Sequence, residues 1–343
     1  MVSGVVMRAA IPQKLARHGS LAALVVAMVC ASVVVHRVTP VAMLRTPERP
    51  FAGYGDPRVR TGPMSYPRQA VGADDERVTI GARPKRIVSQ GWAADEFLYA
   101  SVPPERVVGV SESAYQDRIS NVYELARRYG PVVANDPERV LRADPDLVLT
   151  PVEARSDVPG LLRAAGIPLY RIYTTFQTLR SIEEHIRLVG YLTGEDARAG
   201  LEVVRFRTIV ERAAARKPAG TRSPRVLGLG GTYSYGSQTL MTDILRVLGA
   251  ENVAATNGMV GYDRVTDEHI VRWNPEWIVA GADRGQVSAV RERLLANPAI
   301  AATEAAQRGQ IVVLENHVFL PLSPFTAALV DALSLAFYGG EPS

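Results

Sequence analysis

One sequence pattern occurs twice in this chain, at an offset of 130 positions, and it limits the architecture that the chain can adopt. The two segments are residues 137–150, PERVLRADPDLVLT, and residues 267–280, DEHIVRWNPEWIVA, which align without a gap. Each begins with a helix-start signal, continues as a short amphipathic helix, and has a proline before an apolar run. Such apolar runs are typical of strands covered on both faces of a parallel sheet. The repeat therefore predicts two similar α/β lobes with a ligand site where they meet.

The composition is that of a globular protein, with 47% hydrophobic and 22% charged residues. The net charge is +4, and much of the excess of Lys and Arg over Asp and Glu lies before residue 90. The sequence has no basic run with interleaved aromatic residues and no helix-turn-helix or zinc-finger spacing, so we expect no nucleic-acid partner. The one cysteine, Cys30, excludes a disulfide within the chain.

The N-terminus has the features of an export signal. Basic residues precede a strongly apolar run without charged residues from Leu21 to Val35. This run is slightly short for a membrane-spanning helix, which needs roughly 17 or more apolar residues. Three outcomes stay open: cleavage after Ala31, lipid attachment at Cys30, or retention as an uncleaved anchor. Cys30 could equally be a small apolar residue of the run, because Val29 stands where a bacterial lipobox usually has glycine or alanine.

Composition divides the chain into five segments. Closely spaced prolines after the signal exclude a long helix or a central strand and predict a semi-extended tether. Between the two lobes, apolar residues recur at helical spacing, which favours a single connecting helix. The segments are 1–36 signal peptide or membrane anchor, 37–63 tether, 64–178 N-terminal lobe, 179–217 connector helix and 218–343 C-terminal lobe.

Strands alternate with helices in both lobes, an order typical of a parallel sheet with helices on both faces. Within this order, the runs RVTIGARPKRIVSQG, VVGVSES, DPERVLRADPDLVLT and GIPLYRI resemble class III periplasmic substrate-binding proteins, which serve ABC importers of iron–siderophores, haem and cobalamin. The resemblance extends from about residue 64 to the C-terminus. It implies an α/β fold of two Rossmann-like lobes with parallel sheets, joined by a long connector helix that limits hinge motion, with the ligand cleft between the lobes.

Ligand contacts are expected in loops at the carboxyl ends of the strands, where such clefts lie. Aromatic rings there would supply flat apolar walls, and arginines would meet the carboxylates of a ligand or an anionic chelate. The candidates are Ser89, Gln90, Trp92, Tyr115, Arg118, Tyr233, Tyr235, Tyr262, Arg264 and His317, and Phe319 lies in the same loops. Each of them could instead be a packing or loop residue. Tyr115 or His317 could also ligate haem iron.

Two acidic residues, Glu138 and Glu268, occupy equivalent positions in the two copies of the repeat. An acid in the first turn of a helix interacts favourably with the positive end of the helix dipole, by roughly 0.3 to 1 kcal/mol. This structural role requires no partner protein. In the family that the chain resembles, a glutamate at this place in each lobe docks on the permease. The resemblance therefore implies that both carboxylates contact arginines of a symmetric permease dimer.

The function that follows is binding and not catalysis. We expect an exported monomer, periplasmic or otherwise extracytoplasmic and possibly tethered to the membrane, that captures a ferric siderophore, haem or cobalamin and delivers it to an ABC permease. No cofactor and no metal site are expected, because none of the five histidines stands at metal-ligand spacing with another. Two alternatives stay open: an enzyme similar to tetrapyrrole metal chelatases, which have a similar two-lobed layout, and a membrane-anchored ligand sensor without a permease.

Overall fold

A parallel sheet forms the centre of the N-terminal lobe in the computed structural model, which describes residues 60–61, 63–131, 136–154 and 157–339. The strand order is β5-β4-β6-β7, and every neighbouring pair is parallel. Leu147, Val148 and Leu149 of the third strand are completely buried, as a strand covered on both faces requires. The strands are β4 (Ile87–Ser89), β5 (Val107–Gly109), β6 (Leu147–Pro151) and β7 (Leu169–Ile172).

A small antiparallel sheet precedes the parallel one. Its strands are β1 (Arg60–Thr61), β2 (Arg68–Val71) and β3 (Arg77–Ile80), in that order. The helices of the N-terminal lobe are α1 (Trp92–Ser101), α2 (Tyr123–Tyr129), α3 (Pro137–Arg142) and α4 (Asp157–Ala164), with single 3-10 turns at Pro104–Arg106 and Glu112–Tyr115. The export signal, Cys30 and most of the tether lie outside the described residues. None of the helices within the described ranges is long and apolar enough to cross a membrane.

The C-terminal lobe contains a second sheet, and this sheet is mixed. The strand order is β11-β9-β8-β12-β13, with β10 pairing to β8. Its strands are β8 (Arg225–Gly230), β9 (Tyr233–Tyr235), β10 (Glu251–Asn252), β11 (Tyr262–Arg264), β12 (Trp277–Ala282) and β13 (Ile311–Glu315). The pairs of β8 with β12 and of β12 with β13 are parallel, as the sequence predicts.

The antiparallel edge of this sheet corrects the expectation of a purely parallel one. The glycine-rich sequence of residues 230–236 predicts a loop, whereas in the structure β8 turns directly into β9 through Gly231 and Thr232. Gly231 has a φ of 70°, which glycine adopts without the steric penalty that a side chain would add. The turn places the Tyr-Ser-Tyr strand β9 beside β11, at the rim of the lobe.

Both copies of the sequence repeat form the same local structure. Asp136 caps α3 by accepting hydrogen bonds from the backbone N–H groups of residues 138 and 139. Thr266 caps the helix Asp267–Trp273 in the same way, through the N–H of residue 269. Each helix is followed by a left-handed residue, Asp144 (φ 48°) or Asn274 (φ 40°), again 130 positions apart. Asp and Asn tolerate this conformation better than most residues do, so the helix-to-strand turn is part of the repeat.

The connector is two helices, where one continuous helix was expected over residues 179–217. The helices are α5 (Leu179–Thr193) and α6 (Asp196–Ala214), and Gly194 between them has a φ of 70°. This left-handed residue ends α5 and reverses the chain. The two helices pack antiparallel, with Glu183 of α5 paired to Arg207 of α6 at 2.5 Å. The two helices approach so closely next to the turn that a Cβ on Gly190 would collide with Ala199.

Helix α6 contacts both lobes. At its start, the carboxylate of Asp196 accepts from the buried Arg68 guanidinium of β2 at 2.8 Å. At its end, the carbonyl of Ala213 accepts from the hydroxyl of Ser334 at 2.6 Å. Ser334 lies on the last of the helices of the C-terminal lobe, which are α7 (Leu240–Val247), α8 (Val253–Thr256), α9 (Asp267–Trp273), α10 (Val287–Ala296), α11 (Pro298–Ala301), α12 (Glu304–Gln307), α13 (Asn316–Phe319) and α14 (Thr326–Tyr338).

The reversal at Gly194 makes a testable prediction about stability. A Cβ at this position would overlap the Tyr66 hydroxyl and the Arg83 side chain, and it would also have to adopt a left-handed conformation. Gly194→Ala should therefore lower the free energy of unfolding by at least about 1 to 2 kcal/mol. The matched control is Gly200→Ala within α6, where a Cβ meets nothing and should stabilise the helix by up to about 1 kcal/mol. Urea denaturation measures both changes, and equal stability of the two variants would contradict the account.

Candidate ligand-binding site

A cavity of about 640 Å³ lies between the two lobes. The C-terminal lobe supplies most of its wall, and the N-terminal lobe contributes Trp92 and Thr175. This volume is within the range of small-molecule binding sites. The cavity is lined mainly by aromatic rings and aliphatic side chains, with a few polar groups.

Tyr235 on β9 is the centre of the aromatic wall. Its ring packs edge-to-face against Tyr262, at 5.6 Å between centroids, and against Phe319 at 6.0 Å. Both contacts have an interplanar angle of 75°, which suits the quadrupoles of the rings. Burial raises the pKa of Tyr235 and the pKa of Tyr262 above their usual values, so both are neutral phenols at physiological pH. The wall therefore presents uncharged ring surface to a ligand.

Glycines in the neighbouring strands make room for these rings. A Cβ on Gly228 would lie 2.8 Å from the Tyr235 ring, and one on Gly230 would lie 2.7 Å from its hydroxyl. A Cβ on Gly281, at the end of β12, would lie 2.6 Å from the Phe319 ring. Gly228 and Gly230 of β8 do not belong to a dinucleotide fingerprint, because Tyr233 occupies the third glycine position. They are required here because aromatic rings pack directly on the backbone.

An arginine and a tyrosine stand together at the rim of the cavity. Arg264 on β11 is directly opposite Tyr233 on β9. The Arg264 guanidinium lies 5.6 Å from the centre of the Tyr233 ring, and its Nε is 3.4 Å from the hydroxyl. Tyr233 lines the cavity and is 45% exposed. This pair can offer both a flat face and a positive charge to a ligand that carries carboxylates.

The N-terminal lobe supplies Trp92, and a buried carboxylate holds its indole. The indole Nε1 donates to Glu96 Oε1 at 3.1 Å. Glu96 is fully buried and also accepts from the side-chain amide of Asn121 at 2.9 Å and the Ser323 hydroxyl at 2.5 Å. Burial raises the pKa of Glu96.

A second buried carboxylate, Asp95, precedes Glu96 in α1. It accepts from the Ser111 hydroxyl at 2.5 Å and from the Ser111 backbone N–H at 3.2 Å, and the Ser89 hydroxyl contributes a further hydrogen bond. Burial outweighs these hydrogen bonds and raises the pKa of Asp95 to about 7. Asp95 therefore changes charge within the physiological pH range.

Of the ten residues that the sequence suggests as ligand contacts, four line the cavity: Trp92, Tyr233, Tyr235 and Tyr262. Arg264 lies beside them at the rim. The other five are outside the cavity wall: Ser89, Gln90, Tyr115, Arg118 and His317. Phe319, from the same loops, lines the cavity.

Three of these five point into the N-terminal lobe. Ser89 is fully buried and faces Asp95. Gln90 accepts from the hydroxyl of Thr150 at 2.9 Å. Tyr115 directs its hydroxyl away from the cavity and donates to the carbonyl of Gly130 at 2.6 Å. Each lies at or after the end of a strand as expected, but its side chain turns towards the core of its own lobe.

The remaining two lie near the lobe junction. Arg118 is half exposed and lies 3.6 Å from Asp283 of the opposite lobe. His317 lies 3.3 Å from the carboxylate of Glu315, and burial lowers the pKa of this histidine. Within the described residues, no group of three or more His, Cys, Asp and Glu side chains could hold a metal ion.

The aliphatic part of the wall was not anticipated from the sequence. Leu240, Met241 and Ile244 come from α7, and Leu320 and Leu322 follow α13. Their helical spacing is a signal for a buried face, but it does not distinguish a core from a cavity wall. The structure assigns these residues to the wall, because α7 and the segment after α13 both border the cavity.

The two docking candidates are both at the surface. Glu138 is exposed in the first turn of α3, and Glu268 is exposed in the first turn of α9. Glu268 forms an ion pair with Arg272, one helical turn later. An exposed aliphatic residue also follows each glutamate by one turn: Leu141 is 43% exposed and Val271 is 53% exposed. The repeat thus gives each lobe a similar surface with one carboxylate and one apolar side chain.

Comparison with known proteins identifies what the chain is similar to. The family model for periplasmic binding proteins matches residues 87–318. A cobalamin-binding protein of Halobacterium salinarum is 27% identical over 262 residues, covering 75% of this chain and 70% of the relative. An uncharacterised ABC transporter substrate-binding lipoprotein of Bacillus subtilis is 28% identical over 258 residues, covering 71% of this chain and 80% of the relative.

Solved structures agree with the fold and the family. The apo form of the periplasmic haem-binding protein RhuT from Roseiflexus has a TM-score of 0.63 and 25% identity, covering 74% of this chain and 98% of that one. A periplasmic haem-binding protein from Pseudomonas aeruginosa has a TM-score of 0.62 and 26% identity, with 76% and 94% covered. These matches confirm the resemblance that the sequence motifs suggest. Because the family model covers well over half of its residues, the chain belongs to the periplasmic binding protein family.

Proposed function

We propose that this chain is the substrate-binding protein of an ABC importer, and that it captures a tetrapyrrole metal chelate of the cobalamin or haem kind outside the cytoplasmic membrane. The family consists of binding proteins, so the chain is a binding protein and not an enzyme. The observation that carries the choice of ligand is the aromatic cavity between the lobes.

The chemistry of the cavity wall suits a large, flat and partly charged ligand. Tyr235, Tyr262 and Phe319 supply ring surface from one lobe, and Trp92 supplies it from the other. A macrocycle between them would bury apolar area against both lobes at once. Arg264 at the rim is placed to meet a carboxylate or amide side chain of such a macrocycle, while its metal would travel as part of the cargo.

The names of the relatives support the same class of ligand. One curated relative is named for binding cobalamin, and solved structures with similar folds are named for binding haem. Cobalamin and haem are both tetrapyrrole chelates. Ferric siderophores are the competing class, and a direct comparison of affinities distinguishes the two.

Delivery to the permease would use the outer faces of the two lobes. Glu138 and Glu268 are exposed at equivalent points of the repeat, as docking on a symmetric permease dimer would require. The N-terminal segment would export the chain and, if Cys30 is lipidated or the apolar run is retained, hold it at the membrane. A monomer with one carboxylate on each lobe fits a two-subunit permease without needing a second copy of itself.

The experiment that tests this function is a binding titration. The intrinsic tryptophan fluorescence of the protein is followed while cyanocobalamin, haemin, a ferric hydroxamate and a ferric catecholate are added separately. Saturable quenching by cyanocobalamin or haemin, with a Kd at or below about 1 μM, is expected, because Trp92 forms part of the wall. Binding of a siderophore alone would contradict the choice of ligand. Absence of binding by all four would contradict the importer function.

The aromatic wall makes a further prediction about affinity. Tyr262 is 58% exposed at the cavity, so Tyr262→Ala should weaken binding roughly 30-fold while changing stability little. Tyr262→Phe keeps the ring and should bind nearly as the wild type does. Tyr129→Ala is the control, because Tyr129 is also a partly exposed tyrosine but lies on α2 outside the cavity wall. Equal affinities of Tyr262→Ala and Tyr129→Ala would show that the ligand does not use this wall.

A further inference from the structure

A single buried side chain, Glu96, connects the cavity wall with the contact between the lobes. Its Oε1 accepts from the Trp92 indole at 3.1 Å and from the Asn121 backbone N–H at 3.1 Å. Its Oε2 accepts from the hydroxyl of Ser323 at 2.5 Å. Trp92 and Asn121 belong to the N-terminal lobe, and Ser323 belongs to the segment before α14 in the C-terminal lobe. Glu96 is thus hydrogen-bonded to both lobes.

Asn121 adds a second connection between the lobes at the same point. Its side-chain amide donates to Glu96 at 2.9 Å and to the carbonyl of His317 on α13 at 2.7 Å. Glu96 and Ser323 are both completely buried, whereas the ion pair between Arg118 and Asp283 at the same junction is about half exposed. Water competes with the exposed pair and screens it, but it does not reach the buried one.

A buried carboxylate of this kind has a strong preference for one geometry. Separating the lobes would remove the Ser323 hydroxyl from Glu96 and leave part of a buried polar group without its partner. Turning Trp92 out of the cavity wall would remove another of its donors. Both movements disturb the same four-residue network, so each one affects the free energy of the other.

We propose that Glu96 is a positioning residue that couples the Trp92 side of the ligand cavity to the contact between the lobes. The closed arrangement of the lobes then holds the indole in place, and a ligand that packs on the indole stabilises the closed arrangement. The part of this inference that concerns the ligand depends on the function proposed above, while the coupling within the free protein does not.

The first test uses the protein without ligand. Amide hydrogen exchange is followed for Asn121, whose N–H donates to Glu96, and for the segment 316–326 of the opposite lobe. Ser323→Ala should speed exchange at both places roughly tenfold, because the lobes separate more often. The matched control is Ser334→Ala, which removes another fully buried serine hydroxyl of the same lobe, bonded to the carbonyl of Ala213. Unchanged exchange at Asn121 in Ser323→Ala, or an equal effect in both variants, would overturn the coupling.

The second test concerns the ligand and uses cyanocobalamin or haemin, whichever the wild type binds. Ser323→Ala should release this probe roughly tenfold faster, and Ser334→Ala should release it at the wild-type rate. Trp92→Phe keeps an aromatic ring but loses the donor to Glu96. The combination of Trp92→Phe with Ser323→Ala should therefore cost less affinity than the product of the two single effects. A strictly multiplicative result would overturn the proposal.

A conservative change of Glu96 itself completes the design. Glu96→Gln keeps an acceptor for Trp92 and Asn121, and its amide can donate to the Ser323 hydroxyl. It should retain exchange and release rates close to those of the wild type, whereas Glu96→Ala should resemble or exceed Ser323→Ala. If the wild type binds neither probe, the proposed function fails, and the exchange experiment still decides the coupling.

Discussion

Replacement of both Glu138 and Glu268 by arginine is expected to reduce ligand uptake more than 100-fold, or roughly 3 kcal/mol or more, while ligand binding stays at the wild-type level. In the proposed docking, each carboxylate faces an arginine of the permease. Each substitution would then bring two positive charges together, and like charges across an interface cost several kcal/mol. Because the carboxylates are exposed on the outer helices α3 and α9, the change leaves the cavity intact. Uptake of labelled cyanocobalamin or haemin by native cells that carry the variant measures the effect.

The control for this double variant is Glu105→Arg with Glu292→Arg. These are also exposed glutamates, one in each lobe, and their replacement changes the net charge by the same amount. Uptake with the control should remain near the wild-type level. Normal uptake with Glu138→Arg and Glu268→Arg would show that these two carboxylates do not dock on the permease.

Asp95 is expected to make the stability of the protein depend on pH. Burial raises its pKa from an ordinary value of 3.8 to about 7, so between about pH 4 and pH 7 the folded state binds more protons than the unfolded state does. The free energy of unfolding should therefore fall as the pH rises through this range, by up to about 4 kcal/mol, and level off above it. Asp95→Asn removes this titration, so the variant should gain stability relative to the wild type on going from pH 5 to pH 8.

Urea denaturation at several pH values tests this prediction. The quantity to compare is the difference between Asp95→Asn and the wild type, because Glu96 and His317 titrate in both proteins. Asp117→Asn, a change at an exposed carboxylate, is the control and should show no such difference. If the difference in the free energy of unfolding between Asp95→Asn and the wild type stayed constant from pH 5 to pH 8, Asp95 would have to be ionised in the folded state over this whole range, which would contradict the prediction.

The large-scale architecture could be predicted because local sequence patterns indicate its helices and strands. The two copies of the repeat each contain a cap, a short helix and a buried strand, and the structure confirms all three in both lobes. Parallel pairing followed from the alternation of helices and strands. These features depend on residues close together in the sequence, for which periodicity and capping preferences are informative.

The predictions from the sequence were wrong at two glycines whose backbone conformation depends on tertiary packing. Gly194 lies in the segment where one continuous helix was expected, but it reverses the chain because α6 packs back on α5. Gly231 was placed in a loop, although the alternating Tyr-Ser-Tyr after it is a signal for the strand of a hairpin. In both cases one positive φ angle determines the path of the chain. This angle cannot be predicted from the sequence, because glycine adopts positive and negative φ angles about equally readily.

The candidate site could be predicted only in part, because the direction of a side chain also depends on tertiary packing. The expectation that ligand contacts lie at the carboxyl ends of strands selected some residues that line the cavity, but it did not determine whether a side chain faces the cavity or its own lobe. Tyr235 faces the cavity because Gly228 and Gly230 leave room for its ring, while Tyr115 turns inward to the carbonyl of Gly130. The aliphatic wall from α7 could not be separated from an ordinary core by its pattern.

The most direct measurement is a crystal structure of the protein with the tetrapyrrole that binds best in the titration. One macrocycle is expected between the lobes, in contact with Trp92 on one side and with Tyr235 and Tyr262 on the other. The Ser323 hydroxyl is expected to remain bonded to Glu96 in this complex. A macrocycle bound to the outer surface, or to one lobe alone with the cavity empty, would contradict the proposed binding of a tetrapyrrole between the lobes.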